Sequence, residues 1–118
     1  MSRSEVTMKD SGERLFDRSD DGLAVGIEHP ADAQDTVMLR LRGFIDFFNA
    51  PRFSRLIRDL RSGGTVRIVM DLSRLSFLAS AGVGAIISLH RELALEQGTL
   101  VLFGVRPQIR EILSLLGF

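Results

Sequence analysis

The 118-residue chain contains no cysteine, which excludes disulfides, thiolate metal sites and thiol nucleophiles and suits a reducing compartment. Neither sign of charge is in excess. Fifteen basic and fifteen acidic side chains leave a formal net charge of zero, so no global field would concentrate the chain on nucleic acid or an anionic membrane. Lysine occurs once, at Lys9, and the other basic residues are arginine; this bias carries no functional weight. A long hydrophobic run is also missing. The longest uncharged stretch, between Arg74 and Arg91, falls short of the ~20 mostly apolar residues of a bilayer span and reads as a buried helix entrance. The first 22 residues hold no apolar run that could serve as a signal peptide. A soluble, cytoplasmic protein is expected.

What remains is ordinary for one globular domain: 45% apolar and 25% charged residues, with enough chain to bury a core. Residues 1–22 are polar and charge-rich, and are expected to form a flexible tail, in which Arg14-Leu15-Phe16 could add a short strand. Residues 23–118 carry the domain. Leu23–Ile27 is an apolar run, broken by His29-Pro30-Ala31-Asp32. Thr36–Arg42 then alternates, with Val37, Leu39 and Leu41 on one face, as a half-buried strand does. An antiparallel pair joined by the 28–35 loop is expected.

Asn49-Ala50-Pro51 opens a helix whose stripe is Phe53, Leu56, Ile57 and Leu60, closed by Ser62-Gly63-Gly64. Val66–Leu72 suits a strand buried on both faces, as in a parallel sheet. A loop over 73–79 leads to a second helix over about 81–97, with Gly82, Val83, Ile86, Ile87, Leu89, Leu93 and Ala94 on its apolar side. Thr99–Phe103 is a further strand. Pro107 opens a last helix with Ile109, Ile112, Leu113 and Leu116 as its stripe. The order β-β-α-β-α-β-α predicts a single α/β domain. Its sheet is small and mixed, mostly parallel with an antiparallel edge pair, and helices pack on it. There are no internal repeats.

The stretch from Asp71 to Gly84 stands out: a strand ends, a short loop crosses, and Ser80 stands where a helix begins. Its hydroxyl could cap the free N–H groups of the first turn. Those same groups and the helix dipole would also favour a phosphate on that serine. Gly82 and Gly84 either serve packing or leave the first turn open to another backbone. On the residues alone the plain cap is the favoured reading, since capping serines are common.

Read together, Gly43-Phe-Ile-Asp46, Met70-Asp71-Leu72-Ser73, Phe77-Leu78-Ala79-Ser80-Ala81-Gly82-Val83-Gly84 and Gly98-Thr99-Leu100-Val101-Leu102 resemble a STAS domain. More closely, they are similar to the bacterial anti-sigma factor antagonists, from about Leu23 to Phe118. The resemblance implies a partner-switching regulator, not an enzyme, that needs no cofactor or metal. Its expected partners are an anti-sigma factor that is also a serine kinase and a PPM-type phosphatase. It also implies that Ser80 is the phosphoacceptor and that Asp46 is the acidic residue ending the nearby strand. The docking surface would then comprise Asp46, Ser76, Ala79, Ser80, Ala81, Gly82, Val83 and Gly84, with the outward side of the second helix. One departure is plain: the family's aspartate before the serine is replaced by Ala79. Ala79 keeps a phosphorylation-independent scaffold, or a transport-complex subunit, as the alternative.

Other constellations have bland readings. Gly82-Val-Gly84 lacks the third glycine of a dinucleotide loop, and no GxxxxGK occurs. His29 with Asp32 and Asp35 lacks metal-ligand spacing and reads as a solvated loop. His90 reads as a histidine at the core edge, nearly three helical turns from Ser80 and beyond its hydrogen-bond reach. Arg52, Arg55, Arg58 and Arg61 read as the solvated face of the first helix. Ser73 and Ser76 are rival hydroxyls to Ser80.

Overall fold

The computed structural model of the chain describes residues 5–9, 14–18, 20–115 and 117. In chain order its elements are β1 (Glu5–Lys9), β2 (Arg14–Arg18), β3 (Leu23–Glu28), β4 (Thr36–Ile45) and α1 (Ala50–Ser62). They continue with β5 (Arg67–Leu78), α2 (Ser80–Leu95), β6 (Thr99–Phe103) and α3 (Pro107–Leu115). The strands form one sheet in the order β1-β2-β3-β4-β5-β6. From β3 onward the succession is the expected one, with β3 and β4 antiparallel and β4, β5 and β6 parallel. The segment expected as a polar tail contributes β1 and β2 on the antiparallel side, and Arg14-Leu15-Phe16 falls within β2. Val6 and Met8 alternate with Glu5, Thr7 and Lys9, a period of two too short to stand out among so many charges.

Burial on both faces of β5 is not what the structure shows. Steps from β4 to β5 and from β5 to β6 run in the same direction across the sheet. Right-handed crossovers then place both connecting helices on the same face. One continuous core agrees with this. It joins Leu23, Val25 and Ile27 of β3 and Val37, Leu39 and Leu41 of β4 to Phe53 and Ile57 of α1, Val83 and Ile86 of α2, and Ile109 and Leu113 of α3. On the opposite face Arg40, Val101 and Phe103 are exposed. The continuous apolar run of β5 overstated its burial because Val69 is only half-buried.

The helical stripes are narrower than expected. Ala94, His90 and Ile112 are exposed, so α2 meets the core through Gly82, Val83, Ile86, Leu89 and Leu93. Leu116 lies outside the residues whose side chains are described. His90 is therefore a surface residue rather than one at the core edge.

The expected 73–79 loop is instead strand as far as Leu78. Pairing of β5 with β4 slips twice, between Arg40 and Arg42 and between Gly43 and Phe44, and each slip gives β5 one extra residue. Such bulges bend a strand and re-aim its side chains. Here they change the inward spacing from two, at Ile68, Met70 and Leu72, to three, at Leu75 and Leu78. A Leu-x-x-Leu-x-x-Leu spacing thus remains buried in an extended chain.

The arginine row on α1 is not one solvated face. Arg52 Nε and Nη2 donate to the two carboxylate oxygens of Asp21 at 2.7 and 3.0 Å, and Nη2 also donates to the Leu23 carbonyl at 2.6 Å. Arg61 donates to the Thr65 carbonyl at 3.0 Å and to the Glu96 carboxylate. That charged bond holds the Glu96 carboxyl below the ordinary glutamate range. Asp35, imagined beside His29 and Asp32, instead pairs with Arg67, and its carbonyl accepts the Val66 and Arg67 N–H groups. Arg55 and Arg58 are the exposed members of the row.

The two kinds of arginine should separate on mutation. Arg52→Met is expected to lower unfolding free energy by about 1–3 kcal/mol, since it strips a largely buried, bidentate charged contact. Arg55→Met should change it by less than about 0.5 kcal/mol. Urea denaturation of the two variants checks this.

Candidate functional site

Adjacent parallel strands β4 and β5 end side by side, with Ile45 opposite Leu78. The next backbone bond crosses between the chains that leave them, as Ala79 N–H donates to the Ile45 carbonyl at 2.8 Å. One residue beyond it on either side stand Asp46 and Ser80. Their sequence separation could not have shown this neighbourhood; the strand pairing creates it.

Ser80 is the first residue of α2, and the N-cap position belongs to Ala79, whose extended backbone (φ −72°, ψ 164°) turns the chain into the helix. The capping role considered for Ser80 is thus excluded. The Ala79 carbonyl accepts the Gly82 and Val83 N–H groups at 2.9 and 3.0 Å, while alanine offers no side-chain cap to the rest. No acidic side chain sits in the first turn. The helix dipole is therefore unneutralised where the exposed Ser80 hydroxyl sits, and that hydroxyl has no hydrogen-bond partner among the described residues. A negative charge placed there is favoured.

Other expected residues divide by exposure. Ser76 is exposed, but its hydroxyl donates to the Gly43 carbonyl at 2.9 Å. Ala81 and Gly84 are exposed and Ala79 is half-buried. Gly82 and Val83, expected on the docking surface, are buried and face the sheet. At Gly82 a Cβ would lie 2.5 Å from Leu78 Cδ1 and 2.8 Å from Ile45 Cγ2. Glycine there lets α2 start tight against the strand ends. At Gly84 a Cβ would meet nothing within 4 Å. Gly84 instead opens onto a groove between α1 and α2, lined by Ala81 and Ser88 and by Ser54 and Arg58 across from them.

Asp46 is held by its own turn. Its Oδ1 accepts the Phe48 and Asn49 N–H groups, each at 2.9 Å, while Asn49 Oδ1 accepts the Asp46 N–H at 2.8 Å. Asn49 occupies the N-cap position of α1 but makes no side-chain cap to the helix. It is almost completely buried and looks backward, donating from Nδ2 to the Asp21 and Phe44 carbonyls at 3.0 and 2.9 Å. Between these two polar residues, Phe47 is 78% and Phe48 90% exposed. Sequence reasoning missed both. The available signal was a pair of adjacent aromatics just outside the helical stripe that Phe53 begins.

A STAS domain family profile matches residues 29–118, which include both strand ends and all three helices. The chain belongs to the STAS domain family. Among curated relatives, this STAS domain is 32% identical over 78 residues to BtrV of Bordetella bronchiseptica, covering 66% of this chain and 67% of that one. It is 32% identical over 85 residues to the anti-sigma F factor antagonist of Lysinibacillus sphaericus, covering 71% and 73%. Its backbone is similar to that of the anti-sigma factor antagonist SpoIIAA. The unphosphorylated form superposes with a TM-score of 0.66 at 27% identity over 76% of this chain and 81% of SpoIIAA. The phosphorylated form, from Bacillus, gives 0.67 at 28% identity over 79% and 83%. No helix among the described residues is long and apolar enough to cross a membrane, and no cluster among them has the makings of a metal site.

The two glycines of the site should respond oppositely to alanine. Gly82→Ala is expected to cost about 1–3 kcal/mol through overpacking against Leu78 and Ile45. Gly84→Ala should add about 0.5–1 kcal/mol, because the helix gains propensity and nothing is displaced. Thermal melts of the two variants decide it.

Proposed function

We propose that this STAS domain is an anti-sigma factor antagonist. Its unphosphorylated form binds an anti-sigma factor that is also a serine kinase, through the exposed residues of 76–84, among them Ser76, Ser80, Ala81 and Gly84, and the exposed side of α2. The kinase phosphorylates Ser80 and thereby ends the complex, and a PPM-type phosphatase restores it. The protein acts as a regulator, not as a catalyst, and works in the cytoplasm. The observation that carries this reading is the Ser80 hydroxyl, exposed and without a partner among the described residues, at the start of a helix that has no side-chain cap and no acid in its first turn.

The electrostatics give the switch its sign. Phosphorylation adds about −1.5 to −2 charges. In the free protein the charge lies at the positive end of α2 and in water, where it is tolerated. Against a partner the same charge would have to be desolvated, which opposes binding. Relatives support the reading: an anti-sigma factor antagonist is among them, and SpoIIAA has been solved in a phosphorylated form. Ala79 removes a carboxylate from beside the acceptor, which eases phosphate accommodation. The same residue favours the second reading, a scaffold or transport-complex subunit that needs no phosphate. Ser76 is the weaker acceptor because its hydroxyl is already engaged.

Incubation with the cognate kinase and ATP, followed by peptide mass spectrometry, should place phosphate on Ser80 and none on Ser80→Ala. In a binding titration with the anti-sigma factor, Ser80→Asp should weaken affinity at least about tenfold, a loss of about 1.4 kcal/mol, and Ser80→Ala should leave it within about threefold. Equal affinity of both variants would establish the scaffold instead.

A further inference from the structure

We propose that Phe47 and Phe48 form an aromatic anchor that inserts into an apolar pocket of the same anti-sigma partner, beside the Ser80 contact. This inference rests on the proposed function and extends its surface to the β4–α1 turn. Two adjacent phenylalanines at 78% and 90% exposure hold a large apolar area in water, where it contributes nothing to the fold. Aromatic side chains of this kind, set within a protein contact, dominate binding.

The turn that carries them is rigid. Asp46 and Asn49 exchange backbone-to-side-chain hydrogen bonds across it. Asn49 is in turn fixed from inside by the Asp21 and Phe44 carbonyls. A platform ordered before binding loses little conformational freedom when it docks. Its position is continuous with the proposed contact surface, because Ile45, just before the turn, accepts the hydrogen bond of Ala79, just before Ser80. Phe77, 54% exposed and in register with Phe44, adds another accessible ring at the same strand ends.

A protein pocket fits better than a lipid surface. Membrane-seating aromatics are typically flanked by cations that attract anionic headgroups. Here the flanking charge is Asp46, and the nearest arginine in sequence, Arg52, is committed to Asp21. The partner surface should therefore be apolar at this point and should tolerate a carboxylate at its edge.

The test uses the full chain and the purified serine-kinase anti-sigma factors of the source organism, titrated by calorimetry. Phe47→Ser, Phe48→Ser and the double variant should melt within a few degrees of the wild type, since both rings are solvent-exposed. Each single change should weaken binding at least about tenfold, and the double change at least about a hundredfold. Ser80→Asp is measured in parallel. If it abolishes binding while the phenylalanine variants keep wild-type affinity, the anchor is overturned and the phosphoswitch stands. If no anti-sigma factor binds the wild type, both are overturned. Sedimentation with phosphatidylglycerol vesicles supplies the remaining contrast. Vesicle binding that needs Phe47 and Phe48, with unchanged anti-sigma affinity, would make the pair a lipid contact and overturn the anchor.

Discussion

One buried amide side chain holds together the end of the molecule that carries the candidate site. Asn49 accepts from the Asp46 N–H and donates to the carbonyls of Asp21 and Phe44. It thereby joins the turn before β3, the end of β4 and the start of α1. Buried polar groups are costly when unpaired, so each of these segments is fixed relative to the other two. Gly22 and Gly43 make the junction close enough to work. Both have positive φ, and a Cβ on Gly43 would lie 2.0 Å from the Gly22 carbonyl oxygen. The Phe44 ring occupies the space that a Gly22 side chain would need. Arg52 then reaches from the first turn of α1 back to Asp21 and Leu23. The result is a rigid corner on which Asp46 and the two exposed phenylalanines are carried.

The second determinant is the bulged end of β5. Without the two extra residues, strict alternation would turn Leu75 or Leu78 away from the core. With them, three leucines spaced three apart all face inward, and β5 runs as far as Leu78, opposite Ile45. The helix that follows has no room for a linker. It starts at once, pressed on Leu78 and Ile45 through Gly82, and its first residue is left at the surface. Ser80 is presented because core packing sets the strand end at Leu78, two residues before it.

Much of this was legible in the residues. Period-two alternation marked β4, the stripe from Phe53 to Leu60 marked α1, and the run of motifs from Gly43 to Leu102 identified the family before any geometry. The failures have specific physical causes. A bulge converts an extended strand into a three-residue spacing, so β5 looked as though it ended at Leu72. An apolar run does not say which face is covered, and the one-sided arrangement follows only from the direction of successive crossovers. Asn49 looked like a helix cap because of its position, but its side chain found better-placed partners behind it. The arginines of α1 shared one spacing and took different roles, because Asp21 and Glu96 come from distant parts of the chain. Phe47 and Phe48 sat outside every periodic pattern, and exposed aromatics are recognised only once the core is known not to include them.

The proposed switch is consistent with a chain of zero net charge. Attraction based on opposite charges would weaken with salt and would make a new phosphate one more ion among many. The proposed apolar contact through Phe47 and Phe48 beside Ser80 would work differently. It would supply affinity that salt does not screen, and it would exclude the water that a phosphate needs. Converting a complex from 99% to 1% occupancy takes about 5.5 kcal/mol, a demand that a screened surface charge in water does not meet. Desolvating about −1.5 to −2 charges against an apolar surface is of that order. In the free protein the same phosphate is favoured by up to about 2 kcal/mol at the start of α2. On the proposed reading the helix would accept the modification without losing its fold, while the contact would not. This asymmetry depends on the first turn carrying no acid of its own, and Ala79, where the family usually has aspartate, keeps the immediate approach to Ser80 uncharged.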